Sequence, residues 1–158
     1  MADTEKLHVK IGISGTYWKK VPHYKILLND DVIAEADISQ PSDTVEYMEF
    51  DAEYNTDSAI IGIQLTNKED SDVQKDNYDD PDNYKIIGDM LLNVVSIEID
   101  EIDLGHIIYD CGVYTVDHPV VHHGETTSEI KKITSLGWNG TWRLTWTNPF
   151  YIWMLETI

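Results

Sequence analysis

Short runs of alternating apolar and polar residues, separated by turn-forming residues, constrain the fold of this chain more than any other feature. Residues 9–13 and 24–28 alternate in this way, and residues 59–66 and 91–99 are rich in β-branched side chains. A two-residue period is typical of strands that bury one face, and β-branched residues favour strands. The sequence therefore predicts a chain built mainly from short strands.

Two turn signals place hairpins. Asn29-Asp30-Asp31 separates an alternating run from residues 32–38, which predicts a first hairpin. Asn139-Gly140 lies between two apolar runs, and both residues tolerate positive φ, so it predicts a C-terminal hairpin. Trp142, Leu144 and Trp146 then alternate along the returning strand. We expect Trp142, Trp146 and Trp153 to pack in the core.

The remaining segments are assigned by composition. Residues 107–116 predict a strand, residues 117–129 a loop, and residues 124–132 a short helix if any is present. Residues 150–155 are apolar on both faces, which predicts an interior strand that is integral to the fold.

About eight to ten short strands with closely spaced turns predict an all-β fold, an antiparallel β-sandwich of jelly-roll-like form with a C-terminal β-hairpin. At 158 residues the chain is expected to be one domain, 1–158. Within it, residues 1–100 would form the core, and residues 101–158 would complete or extend the sandwich.

The net charge of −18 excludes two classes of partner. A polyanion such as nucleic acid would be repelled, and so would an anionic membrane surface. The hydrophobic fraction of 42% is ordinary for a folded protein, so the acidity lies on a folded body. Cys111 is the single cysteine, which excludes an internal disulfide and a cysteine-based zinc site.

Residues 69–89 hold the most concentrated charge. Eight acidic residues stand against two lysines there, a local net charge of −6. Carboxylate oxygens in a loop suit calcium, although the spacing lacks the glycine and glutamate of an EF-hand. The alternative is a solvated acidic loop that binds nothing. The candidate metal ligands are Asp76, Asp79, Asp80, Asp82 and Asp89.

Residues 7–100 resemble the calcium-dependent xylan-binding carbohydrate modules, which are β-sandwiches. The matching pieces are residues 22–32, with their Asn-containing hairpin, the strand ending in Thr66-Asn67, and Asp89 before the strand at 91–99. The resemblance implies bound calcium, a glycan partner and no catalysis, with Asp89 the best-matched ligand. Lys68 stands where that family often has an aspartate.

Aromatic side chains supply a candidate sugar platform, because a ring with a polar tip suits a surface that is partly apolar and partly wet. Tyr17 and Trp18 lie between predicted strands, and Tyr78 and Tyr84 lie in the acidic loop. We expect these four residues to stack on a sugar ring; the alternatives for Tyr17 and Trp18 are packing inside the loop and a contact in an oligomer.

Residues 100–158 resemble the C-terminal segments of uncharacterised proteins of marine cyanobacterial tailed phages, through Leu136-Gly137-Trp138-Asn139-Gly140-Thr141-Trp142 and the run from Asn148 to Glu156. This implies a protein of the virion, assembled in the host cytoplasm, with phage structural proteins or further copies of itself as partners. The polar, acidic first residues are not expected to act as a signal peptide, and no apolar run is long enough for a membrane helix. The chain is therefore expected to be soluble.

Weaker signals do not change this reading. His118 and His122 have the spacing of a helical metal pair, but Pro119 and two valines between them argue against a helix, so an exposed or interface loop is expected. No hydrolase, phosphate-loop or dinucleotide-binding motif is present, and no enzyme is predicted. The leading hypothesis is a calcium-dependent glycan-binding module displayed on a virion. The alternative is a purely structural capsid decoration or tail-associated protein.

Overall fold

The computed structural model describes residues 5–54, 57–69, 72–75 and 86–158, which form thirteen strands and two helices. The first seven strands are β1 (Glu5–Thr16), β2 (His23–Leu28), β3 (Asp31–Asp37), β4 (Glu46–Tyr54), β5 (Ser58–Leu65), β6 (Val73–Lys75) and β7 (Ile86–Asp89). The remaining elements are β8 (Leu91–Ile99), β9 (Ile102–Asp103), α1 (Ile107–Cys111), β10 (Val113–His122), β11 (Glu125–Lys131), β12 (Ser135–Leu136), β13 (Gly140–Thr147) and α2 (Phe150–Thr157).

Two antiparallel sheets form a β-sandwich, as predicted. The five-stranded sheet has the order β12-β8-β1-β4, with β9 paired to β8, and the six-stranded sheet has the order β11-β10-β13-β5-β2-β3. The short strands β6 and β7 pair separately as a two-stranded ribbon at the base of the acidic loop.

Side chains from both sheets meet in one apolar core. Val9 and Ile11 of β1 and Ile61 of β5 belong to this core, and all three are fully buried. Burial of a large apolar side chain contributes roughly 1.5–3 kcal/mol, so this interior is the main source of stability. Trp142 and Trp146 of β13 are the largest buried side chains, which confirms their predicted core role.

The first predicted hairpin is confirmed. β2 and β3 are joined through Asn29 and Asp30, whose φ angles of 51° and 67° are the positive values that a two-residue hairpin turn requires. The Ile60 N–H donates to Asn29 Oδ1 at 3.0 Å, and the Asn29 N–H donates to the Ile60 carbonyl at 2.8 Å. The turn is thereby fixed to the neighbouring strand β5.

The predicted C-terminal hairpin at Asn139-Gly140 is wrong. β12 pairs with β8 in one sheet, whereas β13 pairs with β10 and β5 in the other, so the chain crosses between sheets at this point. Glycine is required for another reason: a Cβ on Gly140 would lie 2.4 Å from the Thr115 carbonyl oxygen. The Asn-Gly pair therefore marks a close approach of two backbones.

The assignments for residues 107–116 and 117–129 are also wrong in part. Residues 107–111 form the short helix α1, which buries Ile107 and Ile108, and β10 extends through residue 122. The strand prediction rested on the two adjacent isoleucines, which a single helical turn buries equally well. β13 pairs with residues 113–116 of β10, and β11 pairs with residues 113–115 and 120–122, so the polar end of β10 is held by its hairpin with β11.

The short helix considered for residues 124–132 is not formed, and β11 occupies most of this segment. His123 and Gly124, with φ angles of 50° and 79°, form the two-residue turn between β10 and β11. β11 is an edge strand that is mostly exposed and buries Ile130. Its polar composition reflects that edge position and concealed the strand.

The predicted interior strand at residues 150–155 is wrong, because this segment is the helix α2. Phe150 is fully buried and packs edge-to-face on Trp146, with ring centroids 5.8 Å apart. Ile152 and Leu155 are exposed instead of buried. Neither helix within the described residues has the length and apolar character needed to cross a membrane.

Phe150 is the one fully buried residue of α2, and Trp153 and Met154 pack against the core while partly exposed. We expect Phe150→Ala to lower the free energy of unfolding by about 3–5 kcal/mol, because it leaves a cavity beside Trp146. Leu155→Ala is the matched control, since Leu155 is 68% exposed and should change stability by less than about 0.5 kcal/mol. Chemical denaturation measures both, and equal small effects would show that α2 is not anchored by Phe150.

Candidate functional site

A cleft of about 740 Å³ lies where the end of β5, the β6–β7 ribbon, β10 and residues 133–139 meet. We call it the Trp138 cleft. Val120, Val121 and Ile133 contribute apolar surface, and Lys68, Asp89, His118 and Asn139 contribute polar groups. Ligand sites for small molecules have this composition, an apolar lining with a few placed polar groups.

Trp138 is half-buried and is held by the phenol of Tyr114. The Tyr114 hydroxyl donates to the Trp138 carbonyl, and the Trp138 N–H donates to Tyr114 Oη at 3.0 Å. Burial raises the pKa of Tyr114 well above its usual value, so the hydroxyl keeps its proton and remains a donor. The indole also contacts the ring of His122 edge-on, with centroids 6.0 Å apart. The two Tyr114 hydrogen bonds hold the backbone of Trp138, and the His122 ring packs against its indole.

Lys68 and Asp89 form an ion pair in the cleft. The Lys68 ammonium donates to Asp89 Oδ1 and, at 2.5 Å, to the carbonyl oxygen of Met90. The Lys68 side chain is only 7% exposed and that of Asp89 is 23% exposed. A charge removed from water to this degree requires such a partner.

The side chain of Asn139 holds the backbone of Lys68. The Lys68 N–H donates to Asn139 Oδ1 at 2.7 Å, and Asn139 Nδ2 donates to the Lys68 carbonyl at 3.0 Å. This paired arrangement imitates the hydrogen bonding of a neighbouring strand. It joins the end of β5 to the start of β13 and positions the Lys68 side chain.

A second lysine pair lies at the base of the acidic loop. Lys20 Nζ lies 3.0 Å from Asp72 Oδ2 and 3.4 Å from Glu69 Oε1. Asp72 is 2% exposed, and its carboxylate also accepts the Glu69 N–H at 2.8 Å. Each acidic residue that the structure describes within 69–89 therefore has a lysine partner: Glu69, Asp72 and Asp89.

Tyr17 and Trp18, two of the predicted platform residues, lie outside the lining of the cleft. Tyr17 is half-buried and donates its hydroxyl to the Gln40 carbonyl. Trp18 is 40% exposed, and its indole covers Gly88 of β7 so closely that a Cβ there would lie 2.5 Å from the ring. One face of this indole is therefore used in packing.

The other predicted residues lie outside the described part of the chain: Tyr78, Tyr84, Asp76, Asp79, Asp80 and Asp82. Their roles stay predictions. Within residues 5–54, 57–69, 72–75 and 86–158, no three histidine, cysteine or acidic side chains are grouped so as to hold a metal ion. His118 and His122 lie on strand β10, which confirms the argument against a helical metal pair.

Trp138 is the aromatic lining residue of the cleft that sequence reasoning missed. It lies beside Asn139-Gly140, and the hairpin interpretation of that pair treated it as a residue that leads into a turn. The available signal was its position between Gly137 and Asn139, where it precedes the alternating run of β13.

Two solved structures of vCBM60 share this fold. One is vCBM60 in complex with galactobiose, with 9% sequence identity, a TM-score of 0.51, and coverage of 87% of this chain and 96% of that chain. The other is a selenomethionine form of vCBM60, described with the words "circular permutation provides an evolutionary link between two families of calcium-dependent carbohydrate binding modules". It has 9% identity, a TM-score of 0.53, and coverage of 87% and 89%.

The likeness to vCBM60 confirms, at the level of the fold, the resemblance to calcium-dependent carbohydrate modules. At 9% identity it shows the fold alone, and function has to be argued from the site. No protein-family model matches the sequence, and no curated protein matches it significantly. The resemblance of residues 100–158 to phage proteins stays a prediction.

Two histidines on the sheet surfaces are held between carboxylates. His23 Nε2 lies 2.8 Å from Glu35 and Nδ1 lies 2.6 Å from Asp37, and these bonds raise the pKa of His23 above its usual 6.5. The corresponding contacts of His8 with Asp51 and Glu49 raise the pKa of His8. The same contacts lower the pKa of the Glu35 and Asp51 carboxyls.

The direction of these shifts predicts a stability maximum in mildly acidic solution. The contribution of the two histidines to the free energy of unfolding is complete below pH 6.5, which is their pKa in the unfolded chain. It is lost as the pH rises through their higher pKa in the folded protein. The contribution of the Glu35 carboxylate to the free energy of unfolding is complete above pH 4.5, its ordinary pKa. It is lost as the pH falls through the lower pKa of Glu35 in the folded protein. The melting temperature should therefore be highest between about pH 4.5 and 6.5.

Residue-resolved NMR titration provides the specific check, because repulsion within a chain of net charge −18 also grows with pH. His8 and His23 should titrate with midpoints above 6.5, and Glu35→Gln should lower the His23 midpoint while leaving that of His8 unchanged. Midpoints at or below 6.5 in the native protein would contradict the contacts described.

Proposed function

We propose that this protein is a non-catalytic glycan-binding β-sandwich that holds a sugar in the Trp138 cleft. The observation that carries the proposal is the half-buried Trp138, whose backbone is held by the Tyr114 hydroxyl, in a cleft that also presents Lys68, Asp89 and Asn139. A sugar ring has C–H faces that pack on an aromatic surface and hydroxyls that require hydrogen-bonding groups around them. The cleft offers both.

The fold supports the same class of function. vCBM60, which has this fold, is a carbohydrate-binding module with a galactobiose complex. A shared fold does not transfer a ligand, so the proposal rests on the cleft and treats the likeness as support. The substrate class proposed is a polysaccharide of neutral sugars, because a chain of net charge −18 would repel an acidic glycan.

The residues around Asp89 show whether a calcium ion would fit there. In the described residues, Asp89 is bound by the Lys68 ammonium, and no group of three potential ligands surrounds it. A cation of charge +1 thus already lies against the carboxylate, and these residues do not fit a calcium ion. The calcium prediction for the loop aspartates, which lie outside the described residues, stays a prediction.

A second candidate function is a structural decoration protein of a virion, without sugar binding. The exposed apolar side chains of α2 favour a surface that contacts another protein, since Ile152 and Leu155 point into solvent. Both proposals hold together if the particle displays the cleft, because many weak sites on one particle raise avidity without new contacts.

Trp138→Ala tests the cleft. Binding would first be located on a polysaccharide array that includes xylan and galactan, and then measured by calorimetry with an oligosaccharide of the best-bound polymer. We expect Trp138→Ala to weaken binding at least tenfold, about 1.4 kcal/mol, because the sugar loses its aromatic surface. The fold should persist, since Trp138 is half-buried and outside the fully buried core.

Trp18→Ala is the comparison, because it removes the aromatic platform that the sequence predicts. Loss of binding in Trp18→Ala with full binding in Trp138→Ala would place the site at Trp18 and contradict the cleft. No binding to any polysaccharide, together with detection of the protein in purified virions by mass spectrometry, would favour the structural candidate.

A further inference from the structure

The base of the acidic loop is neutralised by lysines that come from outside the loop. Lys20 precedes β2 and Lys68 follows β5, and they reach the carboxylates of Asp72 and Asp89 respectively. Both carboxylates lie mostly out of contact with water, where an unpaired negative charge would be costly. The sequence spacing alone does not show these pairs, because Lys68 and Asp89 are 21 residues apart.

The Lys68 ammonium contacts two oxygen atoms that are chemically suited to a cation. It contacts a carboxylate oxygen of Asp89 and the backbone carbonyl of Met90, two hard oxygen donors of the kind that calcium takes. The ammonium instead supplies the positive charge from within the chain. Its backbone is fixed by the two hydrogen bonds of Asn139, so the cation is held in place by β5 and β13 together.

We propose that the Lys68 ammonium is the resident cation of this site, that it takes the place of a metal ion at Asp89, and that the cleft binds its glycan without calcium. The second half rests on the proposed glycan-binding function. The first half rests on the geometry of Lys68, Asp89 and Met90 alone.

The Lys68 ammonium also has one N–H group that can donate to a ligand. A lysine carries three N–H donors, and two of those on Lys68 are used by Asp89 and Met90. The third has no partner among the described residues, and Lys68 lines the cleft. It therefore donates to a hydroxyl or ring oxygen of the sugar beside Trp138, the role that a metal ion with open coordination positions would otherwise fill.

The first experiment uses the metal alone, with the native protein and the Asp89→Asn variant. Any heat of calcium binding, and any difference in melting temperature between millimolar calcium and excess chelator, should be the same in the two proteins, because Asp89 is already bound by Lys68. Calcium binding or calcium stabilisation that is present in the native protein and lost in Asp89→Asn would overturn the proposal. This experiment needs no glycan, so it decides the question of the cation even if the proposed function fails.

The second experiment measures glycan affinity in chelator, with the oligosaccharide chosen from the array. The native protein should bind equally with and without calcium, and Lys68→Met should bind at least tenfold more weakly. Lys25→Met is the control, because Lys25 pairs with Glu35 and neither residue lines the cleft, so this variant should keep full affinity. Binding that requires calcium, or equal affinity in Lys68→Met and the native protein, would overturn the proposal.

A further variant separates folding from binding. Lys68→Met leaves Asp89 without its partner and should lower the melting temperature, whereas Lys68→Met with Asp89→Asn removes both charges and should recover it. Affinity should stay low in the double variant, because the ammonium is still missing. Recovery of affinity along with stability would show that Lys68 has a structural role only. If no glycan binds the native protein and calcium acts equally on the native protein and Asp89→Asn, the proposed function fails and Lys68 still stands as the resident cation.

Discussion

The start of β13 is the constraint on which both the core and the cleft depend. Gly140 lies so close to β10 that a Cβ would be 2.4 Å from the Thr115 carbonyl oxygen, and this approach seats β13 between β10 and β5. Beyond it, Trp142 is fully buried in the core. Before it, Trp138 is bound by Tyr114 and Asn139 holds the backbone of Lys68. The position of Gly140 against β10 therefore places both the core side chains of β13 and the polar groups of the cleft. A site that is preorganised in this way loses less conformational entropy when a ligand binds.

Much of the fold could be predicted because strands and tight turns each require particular residues at neighbouring positions in the sequence. The alternation in β1 and β2 marks strands with one buried face, and the turn at Asn29-Asp30 has residues that tolerate positive φ. The pattern failed where it fits two structures equally well. A short apolar run such as residues 150–155 suits a strand or a helix, and the sequence does not show the tertiary packing, such as that of Phe150 on Trp146, which distinguishes them. Asn139-Gly140 failed because a glycine needed for close approach looks the same in sequence as a glycine needed for a turn.

The site was less accessible to sequence reasoning because its contacts join distant parts of the chain. Lys68 was visible as a departure from the pattern of the calcium-dependent modules, but its bond to Asp89 depends on how β5 and β7 are brought together. Trp138 binds Tyr114, 24 residues earlier, and no local pattern records that contact. The acidic loop supplied the obvious chemistry in the sequence. In the described residues, Lys20 and Lys68 already neutralise the carboxylates at the base of this loop. The cleft is therefore a better supported ligand site than a metal ion bound at the base of the loop.

The central claim is that a sugar occupies the cleft against Trp138, and the five tryptophan indole N–H groups report on it directly. Titration with the best-bound oligosaccharide, followed by NMR of the indole signals, should shift the Trp138 signal progressively to saturation. The signals of Trp142 and Trp146, which are fully buried, should stay in place and serve as internal references. Saturable binding in which the Trp18 signal moves and the Trp138 signal does not would contradict the account.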